Sequence, residues 1–201
     1  MQSDLMTLLS AREGHFRYES GYHARLWMDL DPLYMRPTDL APLISRLAEQ
    51  CAEHRPEMIC GPLTGGAFIA LGVATELGVE FCFTERRVNT AQDGLYPVEY
   101  PLPAALRRFV TGKRVIILDD VISAGSAVRG SLVELQAAGA TVVAAGALLV
   151  LGHTGADFFT RQGIPVVALD QRDNPLWMPE DCPMCAAGMP LEDHTPEGEV
   201  S

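Results

Sequence analysis

The sequence predicts an α/β fold, a mainly parallel twisted sheet flanked by helices. Three observations carry this. Apolar runs of strand length recur along the chain, most plainly at Val115 to Leu118 and Thr141 to Leu151. Segments with helical spacing of apolar residues lie between them, as at Leu40, Leu43, Ile44, Leu47 and Cys51. Glycines stand where these helices should stop, at Gly78 and Gly139. Strands interleaved with helices argue for parallel pairing through crossovers.

Each element can be placed in order. Ser3 to Arg12 reads as a first helix, and His15 to Tyr18 and Ala24 to Asp29 as short strands. Thr38 to His54 is the helix with the apolar stripe, followed by a short strand at Met58 to Gly61. Gly66 to Leu77 is a helix and Glu80 to Thr84 a strand. Glu85 to Pro103 shows no period and contains Asp93-Gly94, Pro97, Pro101 and Pro103, so it reads as a long loop with room for a short hairpin. Ser126 to Ala138 is a helix, and Thr141 to Leu151, Gly155 to Gln162 and Pro165 to Leu169 continue the alternation. From about Gln171 the chain turns polar and proline-rich, so residues 171–201 read as a tail, disordered over 192–201.

Composition narrows the function classes. At 201 residues, 48% of them apolar, one domain with a substantial core is expected. The net charge is −11 and Lys113 is the sole lysine, which excludes a basic stripe for a nucleic-acid backbone. No apolar run reaches membrane-spanning length, and Met1-Gln-Ser-Asp-Leu lacks the features of a signal peptide, so a cytoplasmic protein is expected.

The chemistry concentrates in Val115-Ile-Ile-Leu-Asp-Asp-Val-Ile-Ser-Ala-Gly-Ser-Ala-Val128. A buried strand ends in two carboxylates, Asp119 and Asp120, where open parallel sheets bind ligands. The small residues Ser123, Ala124, Gly125 and Ser126 then let an anion approach backbone N–H groups at a helix N-terminus. Gly61-Pro-Leu-Thr-Gly-Gly66 is a second strand-to-helix junction of the same kind. Carboxylates for hydroxyls or a metal, beside a ring of N–H donors, suit a ribose carrying a phosphate.

These motifs resemble the type I phosphoribosyltransferases, and the resemblance spans residues 1–170. It implies that fold with a small N-terminal hood, mainly residues 1–35. It implies that Asp119 and Asp120 hold the ribose hydroxyls of phosphoribosyl pyrophosphate. Val121, Ile122, Ser123, Ala124, Gly125 and Ser126 would hold its 5′-phosphate, and Leu63, Thr64, Gly65 and Gly66 its pyrophosphate. Gly14-His-Phe-Arg-Tyr-Glu-Ser-Gly-Tyr-His23, running to Trp27-Met-Asp-Leu-Asp31, resembles the hood of the orotate branch. On that likeness Arg129 grips the carboxylate of the base. Phe16 and Tyr18 alternate as a strand would, so one of them is expected against the plane of the base, while Trp27 and Trp177 read as packing residues. Mg2+ as cofactor and a homodimer are further implications. In the loop, Arg86 stands for the family's usual first lysine and Arg87 adds charge. Asn89 and Ala91 fall near the places of a later lysine and histidine. The leading expectation is orotate phosphoribosyl transfer, making orotidine 5′-phosphate and pyrophosphate. The altered loop keeps open another nucleobase, or a non-catalytic regulator that binds phosphoribosyl pyrophosphate.

Five cysteines remain to be placed. Cys51, Cys60 and Cys82 fall in apolar patterns and read as buried thiols. Cys182-Pro-Met-Cys185 has the spacing of half a zinc site, which His194 or a partner chain would have to complete. The five histidines show no metal-ligand spacing along the chain, so a tail without metal is the expectation.

Overall fold

The computed structural model describes residues 5, 9–88, 95 and 98–193. Its centre is a five-stranded parallel sheet in the order β4-β3-β7-β8-β9. These strands are β3 (Met58–Pro62), β4 (Glu80–Thr84), β7 (Arg114–Ile122), β8 (Thr141–Leu151) and β9 (Val166–Arg172). The chain lays β4 on one side of β3, then returns to lay β7, β8 and β9 on the other. The direction of winding therefore reverses between β3 and β7, and the crevice at their carboxyl ends is where such sheets take ligands.

Helices α2 (Pro37–Ala52) and α3 (Gly65–Leu77) cover one face. Leu43, Leu47, Ile69 and Val73 from them meet Ile59, Ile116 and Leu118 of the sheet. Helices α5 (Ser126–Ala137) and α6 (Thr154–Thr160) cover the other, where Val128, Leu132 and Phe159 pack on Ile117, Ala145 and Val150. Gly78 closes α3 in the left-handed conformation, at φ 66°. The short helices α1 (Asp31–Tyr34) and α4 (Arg107–Val110) fill connections.

A second, four-stranded sheet forms the hood, in the order β10-β2-β1-β11. Its centre is the antiparallel pair β1 (Ser10–Arg17) and β2 (His23–Asp29). Its edges come from the other end of the chain: β10 (Leu176–Trp177) joins β2, and β11 (Glu192–Asp193) joins β1. A 3₁₀ turn (Pro179–Asp181) and helix α7 (Pro183–Ala186) connect them.

The structure revises several expectations. Ser10 to Arg12 belong to strand β1, not to an N-terminal helix; residues 1–4 and 6–8 lie outside the described residues. The segment after Gln171 is not a free tail, because it supplies both hood edges. Residues 192 and 193 form β11, and the disorder expected for 194–201 lies outside the described residues. Strand β7 runs on to Ile122, since β8 is long enough to pair with it through Asp119↔Ala147 and Ile122↔Val150. Asp119 and Asp120 are therefore within the strand rather than past its end. In the loop, β5 (Arg87–Val88) and β6 (Val98–Glu99) pair as the expected hairpin, while Asn89 and Ala91 lie outside the described residues.

Candidate active site

At the crevice lies a cavity of about 320 Å³, lined by Asp119, Asp120, Val121 and Ser123 to Ala127 on one side and by Tyr18, Glu19, Ser20, Trp27 and Met28 of the hood on the other. Helix α5 begins at its floor. Gly125 takes φ 81°, which turns the chain sharply into the helix, and no side chain caps that N-terminus. The first amides of α5 are left for a ligand anion. The Ser123 Oγ is buried without a hydrogen-bond partner among the described residues, another donor for the same anion.

The two carboxylates are held tightly. The Asp120 N–H donates to Asp119 Oδ1 (3.0 Å) and the Val121 N–H to Asp120 Oδ1 (2.7 Å). The Tyr34 hydroxyl, from α1, donates to Asp120 Oδ2 at 2.6 Å. Burial, and then the charge of Asp120, push the Asp119 carboxyl well above the usual carboxylate range. The same burial, together with Asp120, pushes the Tyr34 phenol up, so it stays a donor.

The junction after β3 packs directly on this pair. A Cβ placed on Gly65 would lie 2.0 Å from Asp120 Oδ2 and 2.6 Å from the Tyr34 hydroxyl oxygen. One on Gly66 would lie 2.7 Å from Asp119 Oδ1. Both glycines are therefore required for the α3 N-terminus to approach the carboxylates. Leu63 and Thr64, joined by a cis peptide, are exposed and outside the cavity lining.

Arg86 and Tyr100, on the two sides of the loop, both contact the hood. Arg86 Nε donates to Glu19 Oε2 at 2.6 Å, and the Tyr100 hydroxyl donates to Glu19 Oε1 at 2.7 Å. Arg86 is thus committed to its own hood carboxylate, and Arg87 is exposed on β5.

Three expected site residues fall elsewhere. Phe16 is fully buried and packs against Trp27 at 6.0 Å between ring centroids, and it forms no part of the cavity wall. The cause is an irregular register between Glu13 and Phe16, which places one extra residue in β1 and breaks the alternation read from the sequence. Tyr18 and Trp27 line the pocket instead, so Trp27 does more than pack. Ile122 is fully buried in the core beneath α6 and forms no part of the cavity wall. Arg129 turns away from the cavity: its Nη2 donates to the Thr154 carbonyl at 2.9 Å, and its guanidinium lies 4.2 Å from the centre of the Phe158 ring. Tyr34 and Glu19 were missed in the sequence. Both act across long separations that no local pattern announces.

This geometry has known counterparts. Residues 38–157 match the model of the phosphoribosyl transferase domain, well over half of the chain. The chain belongs to the phosphoribosyltransferase family. An orotate phosphoribosyltransferase of Heliobacterium modesticaldum is 32% identical over 186 residues, covering 89% of this chain and 87% of the relative. Among solved structures, orotate phosphoribosyltransferase from Aeropyrum pernix superposes with a TM-score of 0.61 at 24% identity, covering 80% and 87% of the two chains. Adenine phosphoribosyltransferase from Thermoanaerobacter pseudethanolicus gives 0.63 at 19% identity, covering 84% and 98%. The structural likenesses show the fold of this transferase, and the fold is shared by enzymes named for different bases. Among the described residues no helix is long and apolar enough to cross a membrane.

Proposed function

We propose that this transferase moves the 5-phosphoribosyl group from phosphoribosyl pyrophosphate to orotate, giving orotidine 5′-phosphate and pyrophosphate. One observation carries the chemistry: the Asp119–Asp120 pair and the open N-terminus of α5 line one cavity roofed by aromatic hood residues. The relative named for orotate, similar along nearly the whole chain, supports the choice of base.

In this reading Asp119 and Asp120 accept hydrogen bonds from the ribose hydroxyls. The amides from Ser123 to Ala127 and the Ser123 hydroxyl hold the 5′-phosphate. Leu63 to Gly66 present the α3 N-terminus to the pyrophosphate, with Arg86 and Arg87 near the loop. Tyr18 and Trp27 offer flat surfaces to the base. Mg2+ suits the pyrophosphate itself, because it keeps several waters and binds phosphate oxygens with few protein ligands, which leaves Asp119 and Asp120 to the ribose hydroxyls. When bound, it neutralises charge growing on the departing pyrophosphate. No strong general base is needed if orotate enters as an anion. The protein's work is to fix the anomeric carbon in line between the base nitrogen and the leaving oxygen.

We read the chain as a homodimer, supported by the exposed apolar side chains of Phe68 and Leu71 on α3 and of Met35 just past α1. Five free cysteines suit a reducing, cytoplasmic setting.

A second reading, another nucleobase, is favoured by one observation. Among the described residues lining the cavity none is lysine, arginine or histidine, and Arg129 faces α6. The test is loss of orotate absorbance with phosphoribosyl pyrophosphate and Mg2+, using Asp119→Asn/Asp120→Asn as control. Turnover that disappears in the control supports orotate. Turnover with a different base in a panel of purines and pyrimidines moves the assignment to that base. No turnover of any base, with the donor still bound, leaves a regulator.

A further inference from the structure

Outside the lining of the cavity, the hood brings together His15, His23, Cys182 and Cys185, each offering one ligand atom, all within 4.8 Å of one another. We propose that these four side chains bind one zinc ion per chain, in a closed structural site that clips the C-terminal segment to the hood.

The geometry is that of a tetrahedron before its ion. Zinc at about 2.3 Å from sulfur and about 2.0–2.1 Å from nitrogen implies edges of roughly 3.4 Å between nitrogens and roughly 3.6 Å between nitrogen and sulfur. Here His15 Nε2 lies 3.1 Å from His23 Nδ1. Cys182 Sγ lies 3.4 Å from His15 Nε2, and Cys185 Sγ lies 3.6 Å and 3.3 Å from His15 Nε2 and His23 Nδ1. Two thiols and two imidazoles with no carboxylate among them favour zinc over the hard cations.

The surroundings are built for this. The irregular register of β1 turns His15 inward beside the buried Phe16, so two successive residues are both buried. His15 Nδ1 lies 3.0 Å from the Met189 carbonyl, so the proton sits there and Nε2 offers its lone pair to the cluster. Cys182 immediately precedes α7 and Cys185 lies within it, so one helical turn sets both sulfurs on the same side. His15, His23 and Cys182 are buried, and Cys185 is exposed, which leaves a way in for the ion. With four protein ligands no position stays open for substrate, so the role is structural. Its consequence is local. His15 and His23 bracket the turn that carries Tyr18, Glu19 and Ser20 into the cavity, and the clip fixes that turn to a segment about 170 residues away.

Metal content tests this independently of which base the enzyme uses. Full-length protein, loaded with zinc alone and freed of loose ion by gel filtration, should carry one zinc per chain. Cobalt exchanged into the site should show the visible bands of tetrahedral coordination and a thiolate charge-transfer band. Cys185→Ser, changing the exposed ligand, should lose both the stoichiometric zinc and much of that band. The wild-type cobalt spectrum keeps the test decisive if the variant does not fold. Protein that retains no zinc and gives cobalt no thiolate band would overturn the assignment. So would a Cys182–Cys185 disulfide in protein kept under reducing conditions.

Discussion

Burial and the neighbouring Asp120 both hold the Asp119 proton more tightly in the folded chain than in the unfolded one. A carboxyl with a raised folded pKa favours folding below the ordinary carboxylate range, and that contribution is lost as pH rises through the raised value. Asp119→Asn should therefore raise the melting temperature at neutral pH and flatten its fall between acid and neutral pH, while abolishing transfer. Thermal melts across that range, beside an activity assay, check both halves; a variant less stable than wild type at neutral pH refutes the argument. Tyr34 acts one step back, holding Asp120 by a charge-assisted hydrogen bond of 2.6 Å. Tyr34→Phe should lower kcat/KM about tenfold, equivalent to about 1.4 kcal/mol of lost positioning, with the KM for the base nearly unchanged. The carboxylates were legible because strand, acids, turn and helix are contiguous in sequence. Tyr34 was not, because its partner lies 86 residues away and an aromatic residue in a short helix looks like packing.

The junction between β3 and α3 shows what an element contributes beyond its residues. Alanine is a better helix former than glycine by about 1 kcal/mol, so Gly65→Ala should help α3 if nothing stood nearby. The added Cβ would instead meet Asp120 Oδ2 at 2.0 Å, and the carboxylate would have to move. The expected outcome is a folded protein, with helix content unchanged by circular dichroism, whose kcat/KM falls by about 100-fold through misplacement of Asp120. Full activity in this variant would show that the carboxylate has room the structure does not reveal. The helices and central strands were readable from their periods and glycine stops, and Glu80 to Thr84 was placed as it stands. Strands β10 and β11 were not, since two residues show no alternation and their pairing depends on partners at the far end of the chain.

On the scale of the whole molecule, the hood packs Leu26 and Met28 of β2 against the core of the central sheet, and Asn174 adds a polar tie between the sheet edge and the hood. It leaves β9 at the sheet edge, is buried, and donates from Nδ2 to the Tyr18 hydroxyl at 3.1 Å. Tyr18 in turn donates to the Leu26 carbonyl, so its ring is held from both sides as it lines the cavity. Desolvation in this position pushes the Tyr18 phenol up to about 12, so it stays a neutral donor through the working range. The carboxylates and the α5 N-terminus make no use of Asn174, because they belong to β7 and its following turn. Removing its side chain should therefore separate the two substrates. Asn174→Ala should raise the KM of the base several-fold while the affinity for phosphoribosyl pyrophosphate, read by thermal shift, stays as in wild type. If both affinities fall together, the hood and the phosphate site are one cooperative body, and the donor site would have to be redrawn to include the C-terminal segment. If neither changes, Tyr18 is fixed by Leu26 and its packing against Trp27 alone, and the sheet edge plays no part in setting the roof of the cavity.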